Sequence, residues 1–115
     1  MLRCLRITAL IAAINLNCGF AFAEDAGFAA NDLMAGCRAY LANDIPTENY
    51  FAAKYCAEII DELGGAEQGI CLPASSTQQA ARVVVKYIDA RPARLRESFQ
   101  KLAREALRAA FPCKH

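Results

Sequence analysis

Cysteine is the residue type in this chain best suited to covalent chemistry, and its spacing decides which kind. The 115 residues hold six: Cys4, Cys18, Cys37, Cys56, Cys71 and Cys113. Thiol redox catalysis uses a close C-x-x-C pair, and a zinc site uses close pairs of Cys or His. The last four cysteines are separated by 19, 15 and 42 residues, which fits neither. The one histidine, His115, is the last residue. A Ser–His or Cys–His nucleophile pair therefore has no base inside the fold. Glu58, Asp61 and Glu62 group on one predicted helix, where paired carboxylates could run acid–base chemistry. A solvated acidic face is the simpler reading. The run Gly-Gly-Ala-Glu-Gln-Gly-Ile at 64–70 has the glycines of a phosphate loop, but no preceding strand, no lysine and no Ser/Thr in the required order. These residues point away from an enzyme and imply no cofactor and no metal.

Disulfides are what remains for the cysteines. Arg3 and Arg6 begin the chain, Ile7 to Phe22 is largely apolar, and Ala21-Phe22-Ala23 fits a small-x-small cleavage site. Residues 1–23 therefore read as a secretory signal peptide, and residues 24–115 as one small domain. The apolar run is shorter than the roughly 20 residues of a membrane span and is interrupted by Asn15 and Asn17. Asn17 before Cys18 does not suit a lipidation site. Cleavage after Ala23 removes Cys4 and Cys18 and leaves four cysteines, an even number in a short exported chain.

Charge is divided along the domain. Residues 24–70 carry nine acids and two bases (−7), and residues 71–115 carry nine bases and three acids (+6). Two halves that pack together and partly neutralise each other are the expected arrangement. The alternative is an acidic face presented to a basic partner. Nucleic acid is a poor candidate partner for the basic half, because an exported protein seldom meets it and no aromatic stacking pattern accompanies the arginines.

Hydrophobic spacing predicts four helices. Residues 24–31 have no period and read as a loose leader, with Asn31 or Asp32 as the first cap. Leu33, Cys37, Tyr40 and Leu41 form one helical face, which stops near Asn43-Asp44 because Pro46 disfavours helix at Ile45. Thr47 is the expected cap of a second helix, in which Ala52, Cys56, Ile59, Ile60 and Leu63 repeat and Phe51 and Tyr55 widen the apolar stripe. Gly64-Gly65 should end it in a left-handed turn, and 64–70 should be a flexible connection. Ser75 with Gln78 and Ser76 with Gln79 are capping-box patterns before a third helix with Ala80, Val83, Val84, Tyr87 and Ile88 inward. A fourth helix should begin at Pro92 and bury Leu95, Phe99, Leu102, Ala103, Ala106, Leu107, Ala110 and Phe111. Its outer face, with Glu97 paired to Lys101, reads as solvated in preference to membrane-bound.

In an antiparallel hairpin, residues equidistant from the turn face each other. Cys37 and Cys56 are centred on the Pro46-Thr47 turn, and Cys71 and Cys113 on Pro92. The preferred pairing is therefore Cys37–Cys56 with Cys71–Cys113, one staple per hairpin. The nearest alternative joins Cys37 to Cys113 and Cys56 to Cys71. The expected fold is all-α: a small four-helix domain of two helical hairpins, stapled by two disulfides.

Cys71-Leu72-Pro73, the run Val83-Val84-Val85-Lys86-Tyr87-Ile88, Arg91-Pro92 and the end Ala109-Ala110-Phe111-Pro112-Cys113 occur in an order that resembles the Rap/Tai family. These are small exported immunity proteins against amidase effectors of type VI secretion. In the family the cysteine of the second helix is commonly followed by Gly-Tyr and a further glycine. Here Cys56 is followed by Ala57-Glu58-Ile59-Ile60-Asp61, so the second helix departs from the pattern. The resemblance implies a periplasmic helical protein, often a homodimer, that plugs the active cleft of a peptidoglycan amidase with a rigid loop. It implies contact regions at the 64–70 loop (Glu67 and Gln68), at Glu58, Asp61 and Glu62, and at the turn from Arg91 to Arg94. The alternative class is a periplasmic binding or holdase module similar to the HdeA-type acid-stress chaperones. Those have one disulfide where this chain offers two.

Overall fold

The computed structural model describes residues 27–65, 68–73 and 77–114. The leader at 1–23, Glu67, the capping serines Ser75 and Ser76, and His115 lie outside the described residues. Four helices follow in order: α1 (Ala30–Ala42), α2 (Tyr50–Leu63), α3 (Thr77–Asp89) and α4 (Phe99–Ala110). Short 3-10 turns stand at Thr47–Asn49 and Pro92–Arg94. Among the described residues no strand forms, only isolated bridges such as Ala29 with Ser98 and Ile70 with Pro112.

The helices pair as α1 with α2 and α3 with α4, and the two hairpins share one core. Phe99, Leu33, Ile60, Ile88, Leu102 and Leu107 are its largest members. The preferred disulfides are present. Cys37 bonds Cys56 with their Cα atoms 5.4 Å apart, and Cys71 bonds Cys113 at 5.0 Å. The first is fully buried between α1 and α2, and the second lies at the surface, where Cys71 is exposed. Gly36, one residue before Cys37, sits so close to α2 that a Cβ would overlap Ala52 and Ala53.

Several ends differ from expectation, each for a backbone reason. No side chain caps α1, and Ala29 precedes it. The amide of Ala30 donates to the Glu97 carbonyl (2.8 Å) and that of Asn31 to the Leu95 carbonyl (2.9 Å). Carbonyls from the other hairpin thus satisfy amides that a helix start otherwise leaves to a side-chain cap. Residues 28–31 are part of the packed domain, not a loose leader. The same exchange moves the start of α4. A helix from Pro92 would need the Phe99 amide to meet the Leu95 carbonyl. Instead the Phe99 amide donates to the Phe28 carbonyl (2.8 Å). The helix begins after Ser98, whose hydroxyl accepts from the Lys101 amide (3.2 Å).

Asn43 ends α1 in the left-handed conformation (φ 58°), as the stop near Asn43-Asp44 requires. Thr47 does not cap α2; it opens the 3-10 turn and makes no capping bond. Gly64 is extended (φ −74°, ψ 121°), so the left-handed glycine expected there is absent; it occurs instead at Gly69 (φ 78°). Gly65 and Ile70 exchange backbone hydrogen bonds at 2.9 and 3.1 Å, which folds the connection back on itself and puts Ile70 in the core. Arg108 Nε donates to the Gln68 carbonyl (2.9 Å), and the Cys71 amide to the Phe111 carbonyl (2.8 Å). In its described part the connection is anchored at both ends, so the expected flexibility is not what holds there.

Candidate partner-binding surface

The first cluster of charged groups stands at the turn between α3 and α4. Arg94 reaches Glu97 with Nη2 (2.8 Å) and Nε (2.9 Å), and Glu105 with Nη1 (2.8 Å). Tyr87 donates its hydroxyl to Glu105 (2.9 Å), and Lys101 lies 3.3 Å from Glu97. Hydrogen bonding to the Arg94 guanidinium, with a smaller contribution from Lys101, lowers the Glu97 carboxyl to about 2. Arg94 lowers Glu105 as well, with help from the Tyr87 hydroxyl, and the two carboxylates raise Arg94 above its ordinary value. Arg91 stacks over the Tyr87 ring at 3.6 Å and donates Nη1 to the Tyr87 carbonyl (2.8 Å). Both arginines expected at the contact turn therefore hold that turn together. Beside them, between α3 and α4, an apolar groove of about 390 Å³ is bordered by Lys86 and Arg91.

The second cluster is on α2. Glu58, Asp61 and Glu62 are exposed and line one shallow depression of about 260 Å³. Glu58 accepts from Lys54 Nζ (2.9 Å), and Asp61 from the Thr77 hydroxyl (2.8 Å), which ties the end of α2 to the start of α3. Gln68 stands in the loop that follows, held through its carbonyl by Arg108. Among the described residues no group of His, Cys, Asp and Glu could hold a metal ion, and no helix is long and apolar enough to cross a membrane.

Mutual neutralisation of the two halves is not what the ion pairs do. Among the described residues, Lys54 pairs with Glu58 inside the acidic half, and Arg94 and Lys101 pair with Glu97 and Glu105 inside the basic half. The pair that crosses, Arg38 with Asp89 (2.9 Å), takes its base from the acidic half and its acid from the basic half. Among the described residues, no acid of the first half pairs with a base of the second. The excess acid of α2 therefore faces solvent.

Sequence reading placed Phe51 and Tyr55 in the buried stripe of α2. They are exposed at 69% and 41%, and Tyr50 at 54% and Phe28 at 42% join them. Phe28 packs on Tyr55 with ring centroids 5.1 Å apart, and Tyr50 on Phe51 at 5.6 Å. The buried face is Ala53, Cys56, Ile60 and Leu63. The signal was available in the helical period. At about 100° per residue, Phe51, Tyr55, Glu58 and Glu62 fall within an arc of about 60° on the far side from Cys56.

No curated protein and no solved structure gives a significant match to the chain. A family model described as Rap1a immunity proteins matches residues 29–113. That span holds all four helices, both disulfides and the α2 cluster. Such a match over most of the chain implies an immunity protein against a secreted effector, a role of binding more than of catalysis. With its two stapled hairpins joined by residues 28–31, the chain belongs to the Rap1a immunity protein family.

Proposed function

We propose that the chain is an exported immunity protein that binds a peptidoglycan amidase delivered by type VI secretion and blocks its active cleft in the periplasm. The observation that carries the reading is the family match over residues 29–113. Two disulfides in so small a domain agree with an oxidising compartment, and the apolar leader ending at Ala23 agrees with export. In this reading the protein works by occupancy. A cross-linked helix pair presents its contacts already ordered, so little conformational freedom is lost on binding. The contact regions are the loop around Glu67 and Gln68, the carboxylates Glu58, Asp61 and Glu62, and the turn carrying Arg91 and Arg94. The working unit is a homodimer, an extension that rests on the resemblance alone and that sedimentation measures directly.

Co-expression tests the reading. An amidase encoded beside this protein and directed to the periplasm should lyse cells, and the protein should restore growth and co-purify with the enzyme. Lysis that continues unchanged, with no complex recovered, overturns the proposal.

A further inference from the structure

Eight aromatic residues occur between positions 24 and 115, and four of them (Phe28, Tyr50, Phe51 and Tyr55) are exposed together at one end of α2. Aromatic rings left in water are the residue type from which binding hot spots are most often built. They continue without a break into the carboxylates of Glu58 and Glu62 on the same face. Between Asp44 and Leu63 the chain has five acids and one base. That base, Lys54, is already paired with Glu58 at 2.9 Å. An apolar knob bordered by negative charge calls for an apolar pocket bordered by positive charge.

The knob is preorganised. The opposite face of α2 is buried, the buried Cys37–Cys56 bond fixes the helix to α1, and Phe28 stacks on Tyr55. An anionic membrane or a nucleic acid would be repelled by the carboxylates. The chain's own groove between α3 and α4 has an apolar floor and basic border, but its Arg91 is stacked on Tyr87 and bonded to the backbone. A foreign protein surface is the better complement than a second copy.

We propose that the Phe51–Tyr55–Glu58–Glu62 face of α2, extended by Phe28 and Tyr50, is the principal docking surface for the effector, beyond the contact regions named above, and that it takes a cleft with apolar walls and a lysine- or arginine-bearing rim. This rests on the immunity reading above. The aromatic end supplies most of the affinity, and the acidic end supplies orientation and salt dependence.

The test is calorimetric binding of the amidase encoded beside the protein, using the full chain expressed with its own leader. The Phe51→Ala/Tyr55→Ala variant should lose about 100-fold or more in affinity. Glu58→Gln/Glu62→Gln should lose about 10-fold and bind with a weaker dependence on salt. Both variants should melt as the wild type does, because the four side chains lie outside the core. A Lys86→Ala control in the α3–α4 groove should bind normally. An aromatic variant that binds as tightly as wild type overturns the proposal while leaving the immunity role standing. A wild-type protein that fails to bind the amidase overturns the immunity role, and this proposal with it. A wild type that sediments as a dimer, with the aromatic variant monomeric and amidase affinity unchanged, reassigns the face to a second copy. A chain that keeps residues 1–23 and binds only after their removal reassigns it to the leader.

Discussion

Gly36 of α1 faces Ala52 of α2 so closely that no side-chain atom fits between the two backbones. Gly36→Ala should therefore push the hairpin apart beside the buried Cys37–Cys56 bond. Overpacking of this kind costs about 1–3 kcal/mol, and the backbone neighbours cannot swing away as a flexible side chain could. A lower thermal midpoint with the disulfide still formed is the expected result.

The two disulfides should differ in value and in accessibility. In the chain-entropy account, a loop of 19 residues gives about 3 kcal/mol and one of 42 residues about 4 kcal/mol. Denaturant unfolding of Cys37→Ala/Cys56→Ala and of Cys71→Ala/Cys113→Ala measures each. Mild reductant should open Cys71–Cys113 first, because Cys71 is exposed while Cys37 and Cys56 are fully buried. Mass mapping of alkylated thiols over time reads that order.

Ser98 is a helix cap that replaces the expected start at Pro92. Ser98→Ala should cost about 1 kcal/mol, the usual value for losing a side-chain cap. Pro92→Ala should matter less to α4, since Pro92 lies in the preceding 3-10 turn. Equilibrium unfolding of the two variants ranks them.

Glu97 makes stability depend on acid. Its carboxyl sits at about 2 in the folded protein against an ordinary 4.5. A group lowered on folding contributes stability that is complete above its unfolded value and is lost as pH falls toward the folded one. The loss should run from about pH 4.5 down to about 2. Solvent reaches this cluster, which moderates the size of the effect. Glu97→Gln should flatten the acid limb of a plot of thermal midpoint against pH.

What the sequence made legible was local. The helical periods, the stop at Asn43 and the pairing of cysteines about each turn follow from near neighbours and from hairpin symmetry. What escaped it was non-local. Nothing near Leu95 announces that its carbonyl will accept from Asn31, so nothing near Pro92 announces that α4 will start seven residues later, at Phe99. Ile70 looks like part of a glycine-rich connection until Gly65 folds back on it. Phe51 and Tyr55 look like core because they are apolar and adjacent to a buried stripe. Relative to Cys56, the one position on α2 that a disulfide fixes inward, their helical angles lie outside the core. The acidic half of the candidate surface follows from residue type alone, and its aromatic half follows only from the helical angles about Cys56.

Each of these two disulfides joins cysteines that are consecutive along the chain. A polypeptide threaded N-terminus first through a pore presents Cys37 and Cys56 as a complete pair before Cys71 or Cys113 emerges. An oxidant that joins thiols in order of arrival thus makes the native bonds without reshuffling. The last residues to arrive then close the clasp by bringing Cys113 back to Cys71.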